Sequence, residues 1–186
     1  MVTISVSLKD HDTLSPDDEI AEGVVVWEPR NENLTFANYD KLLEKVVKGQ
    51  YGSVTVGYSI TRFDMNATVR VVLINGDRES PVDVYGSIKA TSVLDGGSPL
   101  ITLFEKSAGD SVKVNLEEEI PLTRSAVVVP MDDGVTISAY LYDHDSISSD
   151  DETATSCVSF HPSCPGTTTS TISGVYGQVQ VSITAD

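Results

Sequence analysis

Two short stretches of the chain concentrate oxygen donors. Asp10-His11-Asp12 is followed by Ser15 and Asp18, and Asp143-His144-Asp145 is followed by Ser148 and Asp151. Both read Asp-x-Asp-x-x-Ser-x-x-Asp at the end of an apolar-alternating run. Two aspartates two residues apart on an extended strand end point to the same side. Carboxylates about 4 Å apart repel by roughly 1 kcal/mol in bulk water, and by more beside protein. A cation relieves that repulsion, and hard oxygen donors without histidine or cysteine among the ligands favour calcium. The competing reading is a pair of solvated turns whose carboxylates accept local backbone N–H groups. Two occurrences with Asp, Ser and Asp at the same places tip the balance toward cation binding. An EF-hand is excluded, because Leu14 and Ile147 stand at its third ligand position and Ser15 and Ser148 at its glycine. His11 and His144 alternate to the opposite side of the strand from their neighbours, which makes them solvent-facing residues sooner than ligands.

The two loops belong to a longer repeat. Residues 2–27, VTISVSLKDHDTLSPDDEIAEGVVVW, align without a gap on residues 135–160, VTISAYLYDHDSISSDDETATSCVSF, at a constant offset of 133. Trp27 matches Phe160, where core or rim packing is the expectation. A partial echo follows, with Tyr51-Gly-Ser-Val-Thr-Val against Tyr176-Gly-Gln-Val-Gln-Val. Self-similarity of this length means two copies of one strand–acidic loop–strand unit. We read one domain over 1–186, with 2–61 and 135–184 related.

The elements that position these loops are strands. Val2, Ile4, Val6 and Leu8 alternate with polar residues, the mark of a half-buried strand. The same pattern predicts strands near 23–28, 51–62, 66–75, 82–92, 100–105, 125–130, 134–142, 156–160 and 175–184, separated by turn clusters such as Asn75-Gly76-Asp77 and Asp132-Asp133-Gly134. Nine or ten short strands predict an all-β antiparallel sandwich. One segment departs from the pattern. Tyr39, Leu42, Leu43, Val46 and Val47 share a helical face and Gly49 supplies a stop, which predicts one short helix over 39–48. Residues 162–171, rich in Pro, Ser and Thr, read as a surface loop or a short mucin-like segment.

Composition narrows the function. The chain has 186 residues with a formal charge of −16, which disfavours nucleic acid and any anionic membrane reached without a bridging cation. No apolar run approaches the roughly 18 residues of a membrane span, so no transmembrane segment is expected. The first residues lack the basic and apolar regions of a signal peptide, which predicts a cytoplasmic protein if the chain is complete. Cys157 and Cys164 fit a local disulfide or two reduced thiols equally well. No nucleophile elbow, phosphate loop or zinc-protease motif occurs, so a non-enzymatic protein is the expectation.

The strand–Asp-x-Asp-x-x-Ser-x-x-Asp–strand pattern resembles the third calcium loop of C2 domains, β-sandwich modules that bind phospholipid through calcium. The resemblance implies Asp10, Asp12, Ser15 and Asp18 as ligands in one copy, and Asp143, Asp145, Ser148 and Asp151 in the other. Such domains also draw carboxylates from a first loop. Asp95, in Val93-Leu-Asp-Gly-Gly-Ser-Pro99, is the candidate for the second copy, and the first copy has no preceding loop of its own. A further resemblance covers roughly residues 1–142. The runs Asn66-Ala-Thr-Val-Arg-Val71, Val84-Tyr-Gly-Ser-Ile-Lys-Ala90, Ile101-Thr-Leu-Phe-Glu-Lys106 and Pro121-Leu-Thr-Arg-Ser-Ala-Val-Val-Val-Pro130 are similar to an uncharacterised plant β-domain family. That family occurs alone and fused to ribosome-inactivating domains in cereal jasmonate-induced proteins, which implies a plant stress or defence setting.

The expectations are therefore a C2-like sandwich that binds calcium and docks on anionic phospholipid or glycan. The alternatives are an insecticidal or lectin-like defence protein, and a ligand-free structural or regulatory domain.

Overall fold

The computed structural model describes residues 1–13, 16–28, 39–77, 80–92, 100–145, 149–161 and 165–186. The fold is all-β and sandwich-like, built from antiparallel strands, as the alternation predicts. The chain reads as one domain in sequence, and the structure divides it into two compact units, Met1–Arg62 with Leu94–Pro99, and Phe63–Val93 with Leu100–Asp186.

The first unit consists of two hairpins. Strands β1 (Val2–Lys9) and β2 (Glu19–Trp27) pair across the first acidic loop, and β3 (Leu42–Lys48) pairs with β4 (Ser53–Ser59). Alternation turns Ala21, Val25 and Val47 into a small core, against which Ile4, Val6, Ile20, Val54, Val56 and Tyr58 pack.

The second unit is a two-sheet sandwich. It uses β5 (Asp64–Gly76), β6 (Val82–Thr91), β7 (Leu100–Lys106), β8 (Val112–Val114), β9 (Ala126–Pro130), β10 (Val135–Asp143), β11 (Asp151–Phe160), β12 (Gly166–Ser173) and β13 (Gly177–Ala185). One sheet runs β11-β10-β6-β7 with β8 also on β6, and the other runs β12-β13-β5-β9. Strict alternation in β10 and β13 sends Ile137, Ala139, Leu141, Val179, Val181 and Ile183 inward, where each is at most 2 % exposed. Burying one such Val, Ile or Leu is worth about 1.5–3 kcal/mol, so these rows hold the sheets face to face.

The sequence repeat is a structural repeat, and it extends over four strands. Val2 pairs with Trp27 as Val135 pairs with Phe160, and the ladder slips at Leu8/Lys9 as it does at Leu141/Tyr142. The β3–β4 turn also recurs in the β12–β13 turn. Gly49 N–H donates to Gly52 O at 3.0 Å, and Gly174 N–H donates to Gly177 O at 3.0 Å. Tyr51 N–H reaches Glu19 O, and Tyr176 N–H reaches Glu152 O.

Two local expectations are overturned. The short helix predicted over 39–48 does not form: Leu42–Lys48 is a strand after a turn at Tyr39 and Asp40, and among the described residues the only helical segment is a 3-10 turn at Ala108–Asp110. The apolar spacing of Leu42, Leu43, Val46 and Val47 fits a helix, yet the tight Gly49–Gly52 turn delivers β4 as a ladder partner. Two adjacent β-branched valines then favour the extended chain. The surface loop expected over 162–171 becomes β12 from Gly166 onward, and residues 162–164 lie outside the described residues. Its threonines are good strand residues, and Thr167 and Thr169 hydroxyls pair with Thr184 and Ser182 across the ladder at 2.8 and 3.1 Å. Cys157 is free and exposed, and Cys164 lies outside the described residues.

Candidate metal centre

Each unit carries one acidic loop. In the first unit, β1 ends at Lys9 and the chain reverses so that Asp10 N–H donates to Asp18 O at 3.0 Å, while Asp18 N–H donates to Asp10 Oδ1 at 2.9 Å. Asp12 N–H donates to Asp17 Oδ1 at 3.3 Å, and the His11 imidazole lies 3.4 Å from the same oxygen. These bonds turn three carboxylates together: Asp10, Asp12 and Asp18 each place an oxygen within 4.8 Å of the others. Among the described residues this is the one trio of metal-ligating side chains so arranged. Asp10 and Asp18 are exposed and Asp12 is half-buried, so the cluster opens to solvent. Its chemistry is that of a hard, anionic oxygen site, which fits calcium and offers nothing to a soft metal.

The second loop repeats the scaffold with a different outcome. Asp145 N–H donates to Asp150 Oδ1 at 3.1 Å, and His144 Nδ1 lies 3.1 Å from that oxygen, matching Asp12, Asp17 and His11 one repeat earlier. Here, however, β6 lies beside β10. Asp143, 6 % exposed, accepts the Asp83 N–H at 2.8 Å, and His144 N–H donates to Asp83 O. The first aspartate of the loop is thus engaged in bracing two strands, and Asp143, Asp145 and Asp151 do not form a trio like that of the first loop.

The electrostatics of the second loop follow from crowding. Burial pushes the Asp143 carboxyl above the ordinary Asp range, opposed by the Asp83 N–H and reinforced by Asp145, Asp83 and Asp151. Asp151 also sits high, through burial and then through the carboxylates of Asp77, Asp145 and Asp150. Asp150 moves the other way, held low first by the Tyr85 hydroxyl at 2.7 Å and then by Asp145 N–H and His144. The same bond drives the Tyr85 phenol up to about 12. Lys113 pairs with Asp83 at 2.9 Å and offsets part of the charge.

Of the residues expected as ligands, Asp10, Asp12 and Asp18 come together, while Asp143, Asp145 and Asp151 are electrostatically coupled without forming such a trio. Ser15, Ser148 and Asp95 lie outside the described residues. Sequence reasoning missed Asp77, just after β5, and Asp83, in β6, which lie against Asp151 and Asp143 of the second loop. A signal for Asp83 was available, since Val82 and Val84 are inward residues and alternation sends Asp83 to the same face as Tyr85. Asp77 was visible only as part of the Asn75-Gly76-Asp77 turn. Beside it, an open recess of about 420 Å³ is lined by Asn75, Asp77, Ser173, Tyr176 and Gln178 among others.

Among the described residues no helix is long and apolar enough to cross a membrane. Neither the curated proteins nor the solved structures yield a match to the chain. Residues 1–183 match the family model described as a domain of unknown function, DUF6598, and the chain, with its repeated strand–acidic loop–strand unit, belongs to that family.

Proposed function

We propose that the protein is a non-enzymatic, calcium-dependent binding module that docks on anionic phospholipid in a plant stress or defence setting. The carrying observation is the convergence of Asp10, Asp12 and Asp18 oxygens within 4.8 Å. Asp10, Asp12 and Asp18 would hold the ion, with Asp17 and His11 keeping the loop closed. Bound calcium would neutralise part of the cluster and leave coordination positions for a lipid phosphate, which an unmetallated surface of this charge would repel. Calorimetric titration of calcium into the protein should give saturable binding that Asp10→Asn reduces more than Asp143→Asn, because Asp143 is already engaged by the Asp83 N–H. Calcium near 100-fold above its dissociation constant should stabilise the fold by about 2.7 kcal/mol, and EDTA should reverse the effect. Phosphatidylserine vesicles should co-sediment with the protein in calcium and not in EDTA. Absence of any heat of binding in millimolar calcium would refute the reading.

One observation favours a second reading, a lectin-like defence protein. The recess beside Asp77 combines amide, hydroxyl and carboxylate groups with one aromatic, Tyr176, which is a lining suited to sugar hydroxyls and a sugar face. Glycan-array binding that persists in EDTA and is lost in Tyr176→Ala would select it over lipid docking.

A further inference from the structure

The four strands of the first unit repeat only four of the nine strands of the second. In the second unit, β10 has β11 on one edge and β6 on the other, and β13 has β12 on one edge and β5 on the other. The matching strands of the first unit, β1 and β4, pair only with β2 and β3 among the described residues. Among the described residues no strand pairs with the second edge of β1 or of β4, the positions where β6 and β5 add in the second unit.

The inward faces show the same deficit. Val135 and Leu141 are 4 % and 0 % exposed, whereas their counterparts Val2 and Leu8 are 54 % and 43 % exposed. Val179, Val181 and Ile183 are buried in the sandwich, whereas the matching Val54, Val56 and Tyr58 are only half-buried. Free edges are ordinarily guarded by charge, proline or a bulge. Here β4, Ser53-Val-Thr-Val-Gly-Tyr-Ser59, has no charged residue, and in β1 both Lys9 and the ladder slip at Leu8/Lys9 are confined to the very end of the strand.

We propose that these open edges pair with a second copy of the same unit. A two-fold axis normal to both small sheets sets β1 against its symmetry mate and β4 against its own, antiparallel in both cases. The strand orders become β2-β1-β1-β2 and β3-β4-β4-β3. These are the arrangements that β11-β10-β6-β7 and β12-β13-β5-β9 show within one chain. A copy of itself fits this surface because neutral Ser, Thr and Val strands are self-complementary and bring no like charges across the axis, despite the net charge of −16.

Sedimentation velocity of the full chain in EDTA, from about 1 to 200 µM, separates this proposal from the calcium reading, since no metal is involved. The mass should rise from 19.9 kDa to twice that value. Ser5 and Thr55 are exposed mid-strand positions, so Ser5→Lys with Thr55→Lys should keep the circular dichroism melt of the monomer at the lowest concentration and weaken association about tenfold or more. Thr169→Lys, on the exposed face of edge strand β12, should leave association unchanged. In the wild type, hydrogen exchange at β1 and β4 amides should slow as concentration rises. A mass fixed at 19.9 kDa overturns the proposal. So does a dimer that survives the double lysine variant, or one that Thr169→Lys disrupts instead.

Discussion

Leu8 and Leu141 occupy the same place in the repeat, one residue before the ladder slip, and both precede an acidic loop. Leu141 is fully buried and Leu8 is 43 % exposed. Truncating a fully buried leucine removes its transfer free energy and leaves a cavity, together about 2–5 kcal/mol. At Leu8 roughly half of the transfer term is already forfeited to solvent and no closed cavity forms, which leaves about 1 kcal/mol. At some 4 °C per kcal/mol, Leu141→Ala should lower the melting temperature by about 8 °C or more, and Leu8→Ala by about 4 °C. Trp27, the single tryptophan, lies in the first unit, so its fluorescence reports that unit while far-ultraviolet circular dichroism follows all the strands. Measured at low micromolar concentration, the two costs should differ at least about twofold. Equal costs would refute the reasoning, since they would mean that matched sequence positions carry matched burial. Should association cover the first unit, the cost of Leu8→Ala would grow with protein concentration and that of Leu141→Ala would not.

Asp143 and Asp151 both titrate above the ordinary Asp value of 3.8, so the folded state binds their protons more readily than the unfolded state does. Their ionisation costs stability, and that cost is fully present above the folded values and fades as pH falls toward 3.8. The melting temperature should therefore rise as acidification carries the protein through these raised values toward 3.8, and Asp143→Asn, which keeps an acceptor for the Asp83 N–H, should flatten the rise. Below that window Asp40 and Asp150, both held low by their partners, reverse the trend. A spectrophotometric titration should find one of the seven tyrosines protonated until about pH 12, and Tyr85→Phe should remove it. A Cβ at Gly49 would meet Ile20 O at 2.6 Å and one at Gly174 would meet Glu152 O at 2.5 Å. Gly49→Ala and Gly174→Ala should each destabilise their own unit by about 1–3 kcal/mol in thermal melts, because the obstacle is backbone in both.

Period-two alternation and the offset of 133 were legible in the chain itself, because inward and outward faces of a strand must differ wherever one side is buried. So were the acidic loops: bonds within a few residues of each other, such as Asp12 N–H to Asp17, follow from the local sequence, and the same bonds form in both copies. Residues 42–48 show where local reading stops. Their apolar spacing serves either a helix or a strand, and the decision came from β4, delivered by a turn whose second copy at Gly174–Gly177 was the only hint in the sequence.

The fates of the two loops were likewise undecidable from residues alone. Asp10 and Asp143 open the same Asp-His-Asp motif, yet Asp10 joins an open cluster and Asp143 is buried against Asp83, because a strand far away in sequence pairs with the second edge of β10, whereas among the described residues β1 pairs only with β2. Which strand lies next to which is settled by the burial of whole faces, a sum over many distant residues that no window of the chain contains. Sequence thus determined the repeated unit and the chemistry it carries. Tertiary structure decided how much of each copy is covered, and with it whether a given aspartate holds the fold together or stays open to an ion.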